Sequence, residues 1–406
     1  MRELVQMFEE KFSVKEVKFI KSPLYICPLG AHTDHQNGLV TGMALNISIN
    51  LAYSPNNEGY IRVQSTDFPD EEYFHMDNVP GMLPGYWGNY LRGAVLSLSK
   101  KYKLNKGING VIRGKSPIAC LNSTAAVITA YLMALCDVNN LSLSKEELIE
   151  HSHWVEKDFI GLDKGILEQA ANILSKNNHI MMMDCKTGNY RLIKQPPQMP
   201  NFEIIIVYSG IDSSPINAEY KNRIDECRVV AWLLQELEQN RRPAFKEAKL
   251  RDIEENVFTE HMEYIPGSFR RRALHYFSEI KRVEKGVQAW ANGDLKSFGR
   301  LMFESGRSSI NNYGCECPEL KTIFNILTEC PGVYGARISG TAYKGSCIGI
   351  VNPKYKFKIK DKIDKEYPKM HPEYKNRYRV HFCGTDDGAR IVSMNEIAGR
   401  ERRLII

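Results

Sequence analysis

No stretch of this chain reaches the roughly 18 consecutive uncharged apolar residues that cross a bilayer, so neither a span nor a membrane partner is expected. A strong excess of charge is also missing. Its 54 basic residues stand against 48 acidic ones, for a net charge of +6. The signs alternate along the chain without a basic block, which argues against nucleic-acid binding and for a solvated surface. The slight positive balance suits an anionic substrate. Zinc-type cysteine spacing is absent too. The ten cysteines are scattered, and only Cys315 and Cys317 lie close, as C-x-C. Unpaired thiols in a reducing cytoplasm are the simplest account, so a cytoplasmic location is expected. There are no internal repeats, no low-complexity tract, no Walker A loop, no Rossmann glycine motif and no protein-kinase set. The opening MRELVQMFEEKF mixes charges among its apolar residues and is not expected to be a signal peptide. Leu4, Met7, Phe8 and Phe12 recur there at helical spacing.

What is present is the profile of a globular protein, 43% hydrophobic and 25% charged over 406 residues, too long for one ordinary core. Tyr60–Gln64 alternates like a half-buried strand, and Ser123–Asp137 is an apolar run long enough for a buried helix. Ser144 and Glu147 form a capping box before another helix. Three prolines in RLIKQPPQMPN, residues 191–201, disfavour helix and central strand. The expected division is therefore 1–195 and 200–406. Beyond it, Phe202–Tyr208 reads as a buried strand, 222–305 as mostly helical, and Val333–Ser339 with Cys347–Val351 as two strands joined by a small-residue loop. Runs of strands beside runs of helices predict an α+β fold.

Four segments concentrate the chemistry. In SPLYICPLGAHTDHQNGLV, Gly30, His32, Thr33, Asp34, His35, Gln36, Asn37 and Gly38 crowd short polar groups between apolar runs. Such density grips sugar hydroxyls, or it makes a tight polar turn closed by Asn37-Gly38. In GKSPIACLNSTAA, small and hydroxyl residues open the apolar helix. They offer free N–H groups and a positive dipole end to phosphate, or an ordinary N-cap. Ser123 or Thr124 adds a hydroxyl suited to Mg²⁺. In GLDKGILEQ, Glu168 lies in a largely apolar segment, four residues after Lys164. It reads as a general base, or as a solvent-facing glutamate paired to Lys164. In GARISGTAYKGSC, a small-residue turn allows close phosphate approach or is a plain hairpin loop.

Together, in order and spacing, the four segments resemble the GHMP kinases, the superfamily of galactokinase, homoserine kinase, mevalonate kinase and phosphomevalonate kinase. ICPLGAHTDHQNG resembles the galactokinase sugar signature, and CLNSTAA resembles the superfamily phosphate loop. GILEQ resembles the segment carrying the galactokinase catalytic aspartate, and GARISG the third superfamily motif. GILEQAANILS, MDCKT, HYFSE, GVYGAR and the closing segment resemble the galacturonokinase branch, so the resemblance covers nearly the whole chain. It implies a two-domain GHMP kinase fold with the active-site cleft between the lobes. The implied reaction takes ATP with Mg²⁺ and a sugar or uronic acid to the sugar 1-phosphate.

Residue by residue, the resemblance assigns His32, Asp34, Gly165 and Tyr220 to the sugar. It assigns Cys120, Asn122, Ser123, Thr124, Ala125, Gly340 and Lys344 to the nucleotide, and Ser123 and Thr124 also to the metal. Ala31 stands where galactokinases carry a glutamate for the C6 hydroxyl. Two close anions repel, so alanine fits a uronate. Lys221 and Arg223, near Tyr220, are candidate partners for its carboxylate. Glu168 stands at the catalytic aspartate, and Tyr25 at the active-site arginine. In the phosphate loop Cys120 replaces glycine and Asn122 replaces serine. In the third motif Thr341-Ala342-Tyr343-Lys344 interrupts a glycine run. Two readings follow: a sugar 1-kinase acting on galacturonate or a related sugar, and a non-catalytic sugar-binding sensor or regulator with an eroded ATP site.

Overall fold

A computed structural model describes residues 2–14, 16–114, 123–162, 164–211, 218–239, 244–315, 317–340 and 345–393. Its described strands form two sheets. The larger contains β1 (Lys18–Ile26), β2 (Leu39–Asn56), β3 (Tyr60–Ser65), β4 (Glu71–His75), β5 (Gly107–Arg113), β6 (His179–Asp184) and β7 (Tyr190–Lys194). The smaller contains β8 (Glu203–Tyr208), β9 (Val333–Ser339), β10 (Ser346–Val351) and β11 (Arg379–Cys383). The last described strand, β12 (Arg390–Val392), returns to pair with β1, giving the larger sheet the order β12-β1-β2-β5-β3-β4, with β6 and β7 branching from β2. The smaller sheet runs β11-β8-β10-β9. Segregated sheets and helices make this an α+β fold.

Local sequence explains most of these elements. Leu4 and Phe8 are buried on one face of the Arg2–Phe12 helix. The apolar run forms the Thr124–Val138 helix, with eleven of its fifteen residues buried, so it is a core helix rather than a surface one. The capping box is complete: Ser144 Oγ accepts from the Glu147 N–H at 3.1 Å, and the Glu147 carboxylate accepts from the Ser144 N–H at 2.8 Å. β8, with the core EIIIVY, is buried from Ile204 to Tyr208 between β10 and β11. The strand β7 ends at Lys194, immediately before the prolines.

One apolar cluster joins the two sheets. Ile26, Leu45 and Leu51 of the larger sheet belong with Leu132 and Leu135 of the core helix. Ile204 and Ile348 of the smaller sheet belong to it too, as do Val283, Trp290 and Phe298 from the helices Gly267–Ala291 and Leu295–Ser308. The polar segment 27–38 is held against this shared core. No described helix is long and apolar enough to cross a membrane.

Candidate active site

The end of β1 brings in the first wall. Pairing with β2 slips between Pro23, which faces Ser48, and Tyr25, which faces Ala44. Such a bulge bends a strand and re-aims its side chains, here bringing Tyr25 toward the cleft. The chain then turns through Gly30, where φ is +90° and an added Cβ would come within 2.5 Å of Val40 Cα, so a side chain is excluded. Asp34–Gln36 form a 3₁₀ turn. The Thr33 hydroxyl closes the loop by donating to the Gly30 and Leu39 carbonyls at 2.8 and 2.9 Å. Asn37, with φ 58°, caps the 3₁₀ turn rather than closing a two-residue hairpin.

Tyr25, Ala31, His32, Asp34, Lys164, Glu168, Tyr220, Arg337 and Gly340 line one cavity of about 480 Å³, including space open to solvent. Catalytic, sugar-binding and third-motif residues expected from the sequence therefore meet there. His32, at φ 62°, stacks on Tyr313 with ring centroids 4.3 Å apart and meets Cys315 Sγ at 3.3 Å. Burial, then the Arg337 charge, holds its imidazole well below its usual pKa, so it is a neutral hydrogen-bonding group. Arg337 is itself buried, donating to the Cys27 carbonyl and to the Ser305 and Ser309 hydroxyls, each at 3.1 Å. Gly340, at φ +105°, needs the freedom of glycine.

Asp34 joins this cavity to a second one of about 630 Å³, also lined by Gly165, Lys157, Lys164, Arg228 and Lys249. Neither Lys221 nor Arg223 lines either cavity. The expected carboxylate partners are displaced from the site because both lie on the Ala218–Gln239 helix, where Lys221 is exposed and Arg223 pairs with Glu226. Burial raises the Asp34 carboxyl to about 6, against backbone N–H donors at His35 and Leu167 that favour its charge. A carboxyl raised in the folded state binds a proton that the unfolded chain releases, so its stabilising effect is lost as pH rises through about 6. Asp34→Asn removes that dependence. Its melting midpoint relative to wild type is expected to climb between pH 4.5 and pH 8, and a pH-independent difference would contradict this assignment.

Gly165 has a steric purpose. An added Cβ would overlap Asp34 Oδ2 and Cγ, so the glycine lets the carboxylate sit against the chain entering the Leu167–Leu174 helix. Gly165→Ala must rotate Asp34 away. Sugar KM is expected to rise about 10²-fold, the usual scale for ångström-level misplacement. Titration of sugar into initial-rate assays checks it, and an unchanged KM would contradict the role.

Glu168 occupies the first turn of the same helix, where the dipole favours a carboxylate. It is 4% exposed. The sequence left open a solvent-facing pair with Lys164. The pair exists, at 3.6 Å, but both side chains are largely enclosed. Tyr25 and Glu168 line the same cavity, and burial, then the Glu168 charge, raises the Tyr25 phenol well above its usual pKa, keeping it neutral.

The start of the core helix lies outside the cavity lining. Ser123 holds the N-cap position without a side-chain capping bond, Thr124 lowers the pKa of the Tyr90 phenol, and Ala125 is buried. Cys120, Asn122 and Lys344 lie outside the described residues. Sequence reasoning missed Glu156, in the one-turn π-helix Val155–Phe159, a place where extra turns often mark function. Its carboxyl is fully buried, and Oε1 has no hydrogen-bond partner among the described residues. Burial raises it to about 7, with Lys164 opposing and Glu168 adding to the shift. Glu156 and Lys164 both act electrostatically on Tyr90, which Thr124 also affects. The orphaned Glu156 oxygen and a helix-start hydroxyl are hard-oxygen donors of the kind that suits Mg²⁺.

Two family models match the chain: the GHMP kinases N terminal domain over residues 89–176 and the GHMP kinases C terminal model over 284–369. The chain is 36% identical over 401 residues to galacturonokinase of Arabidopsis thaliana, covering 93% of this chain and 94% of that protein. It is 27% identical over 394 residues to galactokinase of Roseiflexus sp. strain RS-1, covering 97% of each. Its structure is similar to the crystal structure of Lactococcus lactis galactokinase complexed with galactose, at TM-score 0.87 and 24% identity, over 96% of this chain and 99% of that one.

Proposed function

Because the chain belongs to the galactokinase family of the GHMP kinases, and is therefore a sugar 1-phosphotransferase using ATP with Mg²⁺, we propose that its sugar is galacturonate or a closely related uronate. The observation that carries this reading is Ala31. It is buried, 6% exposed, on the wall of a cavity that already holds Asp34 and Glu168. A third carboxylate at position 31 would face the C6 carboxylate of a uronate, whereas the methyl group does not. The buried Arg337 adds a cation to that wall, of the sign an anionic sugar needs. The 36% identity to a galacturonokinase supports the same choice. The sensor reading, raised by Tyr25, Glu168 and the altered loops, is not favoured, since relatives matched along nearly the whole chain are kinases.

In this mechanism Asp34 and neutral His32 hold ring hydroxyls, and Tyr220 closes the pocket beside them. Tyr220 is 8% exposed, and its ring lies 5.9 Å from that of His32. Glu168 orients the anomeric hydroxyl and accepts its proton. The hydroxyl oxygen forms a bond to the γ-phosphorus of ATP as the bond to the β,γ-bridging oxygen breaks and ADP leaves. Glu156 with the Ser123 or Thr124 hydroxyl would hold Mg²⁺, which would supply neutralisation of the phosphate charge. Positioning and electrostatics contribute most of the rate in such transfers. The division 1–195 and 200–406 is our domain assignment, with sugar signature and phosphate loop in the first part and the third motif in the second.

Ligand-induced melting shifts test the sugar. Galacturonate is expected to raise the midpoint more than galactose or glucuronate at equal concentration, since stabilisation follows occupancy. A larger shift with galactose would reject the uronate.

A further inference from the structure

At the position of the family's active-site arginine stands Tyr25. A guanidinium there has two capacities: it donates N–H hydrogen bonds and it carries a fixed positive charge. A neutral phenol retains only the first. We propose that this chain divides the two tasks, with Tyr25 donating a hydrogen bond to Glu168 and Lys164, from another segment lining the same cavity, supplying the charge.

The geometry for the division is specific. Tyr25 is delivered by the bulge in β1 and lines the same cavity as the Glu168 carboxylate, whose charge acts on its phenol. Lys164 comes from a different segment, the short connection between the π-helix and the Leu167–Leu174 helix. Backbone bonds hold this connection: the Leu162 N–H donates to the Glu156 carbonyl at 2.8 Å, and the Lys164 N–H to the Leu162 carbonyl at 2.9 Å. The ammonium stands 3.6 Å from Glu168 Oε1, and its side chain is only 12% exposed. It lines the cavity that holds Tyr25, Asp34 and Glu168. Glu156 also lies within its electrostatic reach. Two buried carboxylates without a cation would be costly, so Lys164 has a reason to stay charged. Burial pushes its amine down, but Glu168 and Glu156 outweigh that and raise it.

A surface i,i+4 pair would contribute little, because water screens it. An enclosed pair is screened far less, so the ammonium is a strong local charge where negative charge grows during phosphoryl transfer. Lys164 is therefore a positioning residue for Glu168 and a cation at the reacting cavity.

The inference rests on the sugar-kinase reading, and wild-type turnover separates the two. No sugar turnover by folded wild-type protein defeats that reading, whereas wild-type turnover with unimpaired Lys164→Met defeats this inference alone. Four full-length variants are compared for kcat and KM at saturating ATP·Mg²⁺: Lys164→Met, Tyr25→Phe, Tyr25→Arg and the double variant Tyr25→Arg/Lys164→Met. Lys164→Met is expected to lose about 10²-fold in kcat while sugar KM stays within about threefold, the pattern of an interaction made in the transition state. Tyr25→Phe is expected to lose about tenfold, the low end for a hydrogen bond to a charged group. The double variant is expected to regain at least about tenfold over Lys164→Met, since arginine restores both capacities at one place. Tyr25→Arg alone gains nothing over wild type, because a second cation crowds the same carboxylate. The inference is overturned if Lys164→Met keeps wild-type kcat, or if the double variant is no faster than Lys164→Met while still binding sugar. Should Lys164→Met fail to fold, Lys164→Arg and Lys164→Gln carry the same comparison. Arginine keeps kcat within about tenfold and glutamine does not, and equal rates overturn the idea.

Discussion

Glu168→Gln is expected to lower kcat by about 10³-fold, the middle of the range for losing a general base, with sugar affinity changed only a few-fold. Glutamine keeps the length and planar shape of the side chain. It can still accept a hydrogen bond from Tyr25 and still fills a site that is 4% exposed. What it cannot do is take a proton from the anomeric hydroxyl. The sugar contacts proposed for Asp34 and His32 are untouched, so the loss should sit in kcat rather than KM. Lys164 loses one partner but remains near Glu156, which limits the damage to stability. Single-turnover measurements beside sugar titrations separate chemistry from binding. Full activity in this variant would refute Glu168 as the base.

Ala31→Glu carries the second large effect, and it acts on specificity. A glutamate there would project into the cavity that holds Asp34 and Glu168. If its carboxylate came within ~4 Å of a uronate carboxylate, repulsion would amount to about 4 kcal/mol at an intermediate dielectric. That corresponds to roughly 10³-fold in affinity. A neutral hexose would feel no such repulsion and would gain an acceptor for its C6 hydroxyl. The ratio of kcat/KM for galacturonate over galactose is therefore expected to fall by at least about 10²-fold, read in parallel initial-rate assays on wild type and variant. A ratio that does not move would show that position 31 does not face C6.

These effects depend on features unequally legible in the sequence. The core helix at Thr124–Val138, the capping box at Ser144 and the paired strands β9 and β10 were legible because local pattern alone specifies them. The meeting of Ala31, His32, Asp34, Glu168 and Tyr220 came from the family resemblance and the structure, since spacing cannot bring residue 31 to residue 220. The depth of the Lys164–Glu168 pair was hidden, because i,i+4 spacing looks the same on a surface and in a core. Glu156 was hidden for a related reason. VEKDF places three charged residues in a row and reads as solvated surface, yet its first carboxylate is fully buried. The placement of β12 beside β1 joins residues more than 360 positions apart, and no local signal encodes such a pairing. The cations near the site also shifted, with Lys164 and Arg337 lining the cavity in place of Lys221 and Arg223.

The most direct test is ADP release by the wild-type protein with ATP·Mg²⁺ over a panel holding galacturonate, glucuronate, galactose and glucose. Galacturonate is expected to give the highest kcat/KM, at least about tenfold above galactose, the scale of one unfavourable charge contact removed from the pocket. Preference for galactose, or no sugar-dependent ADP release from folded protein, would contradict the account.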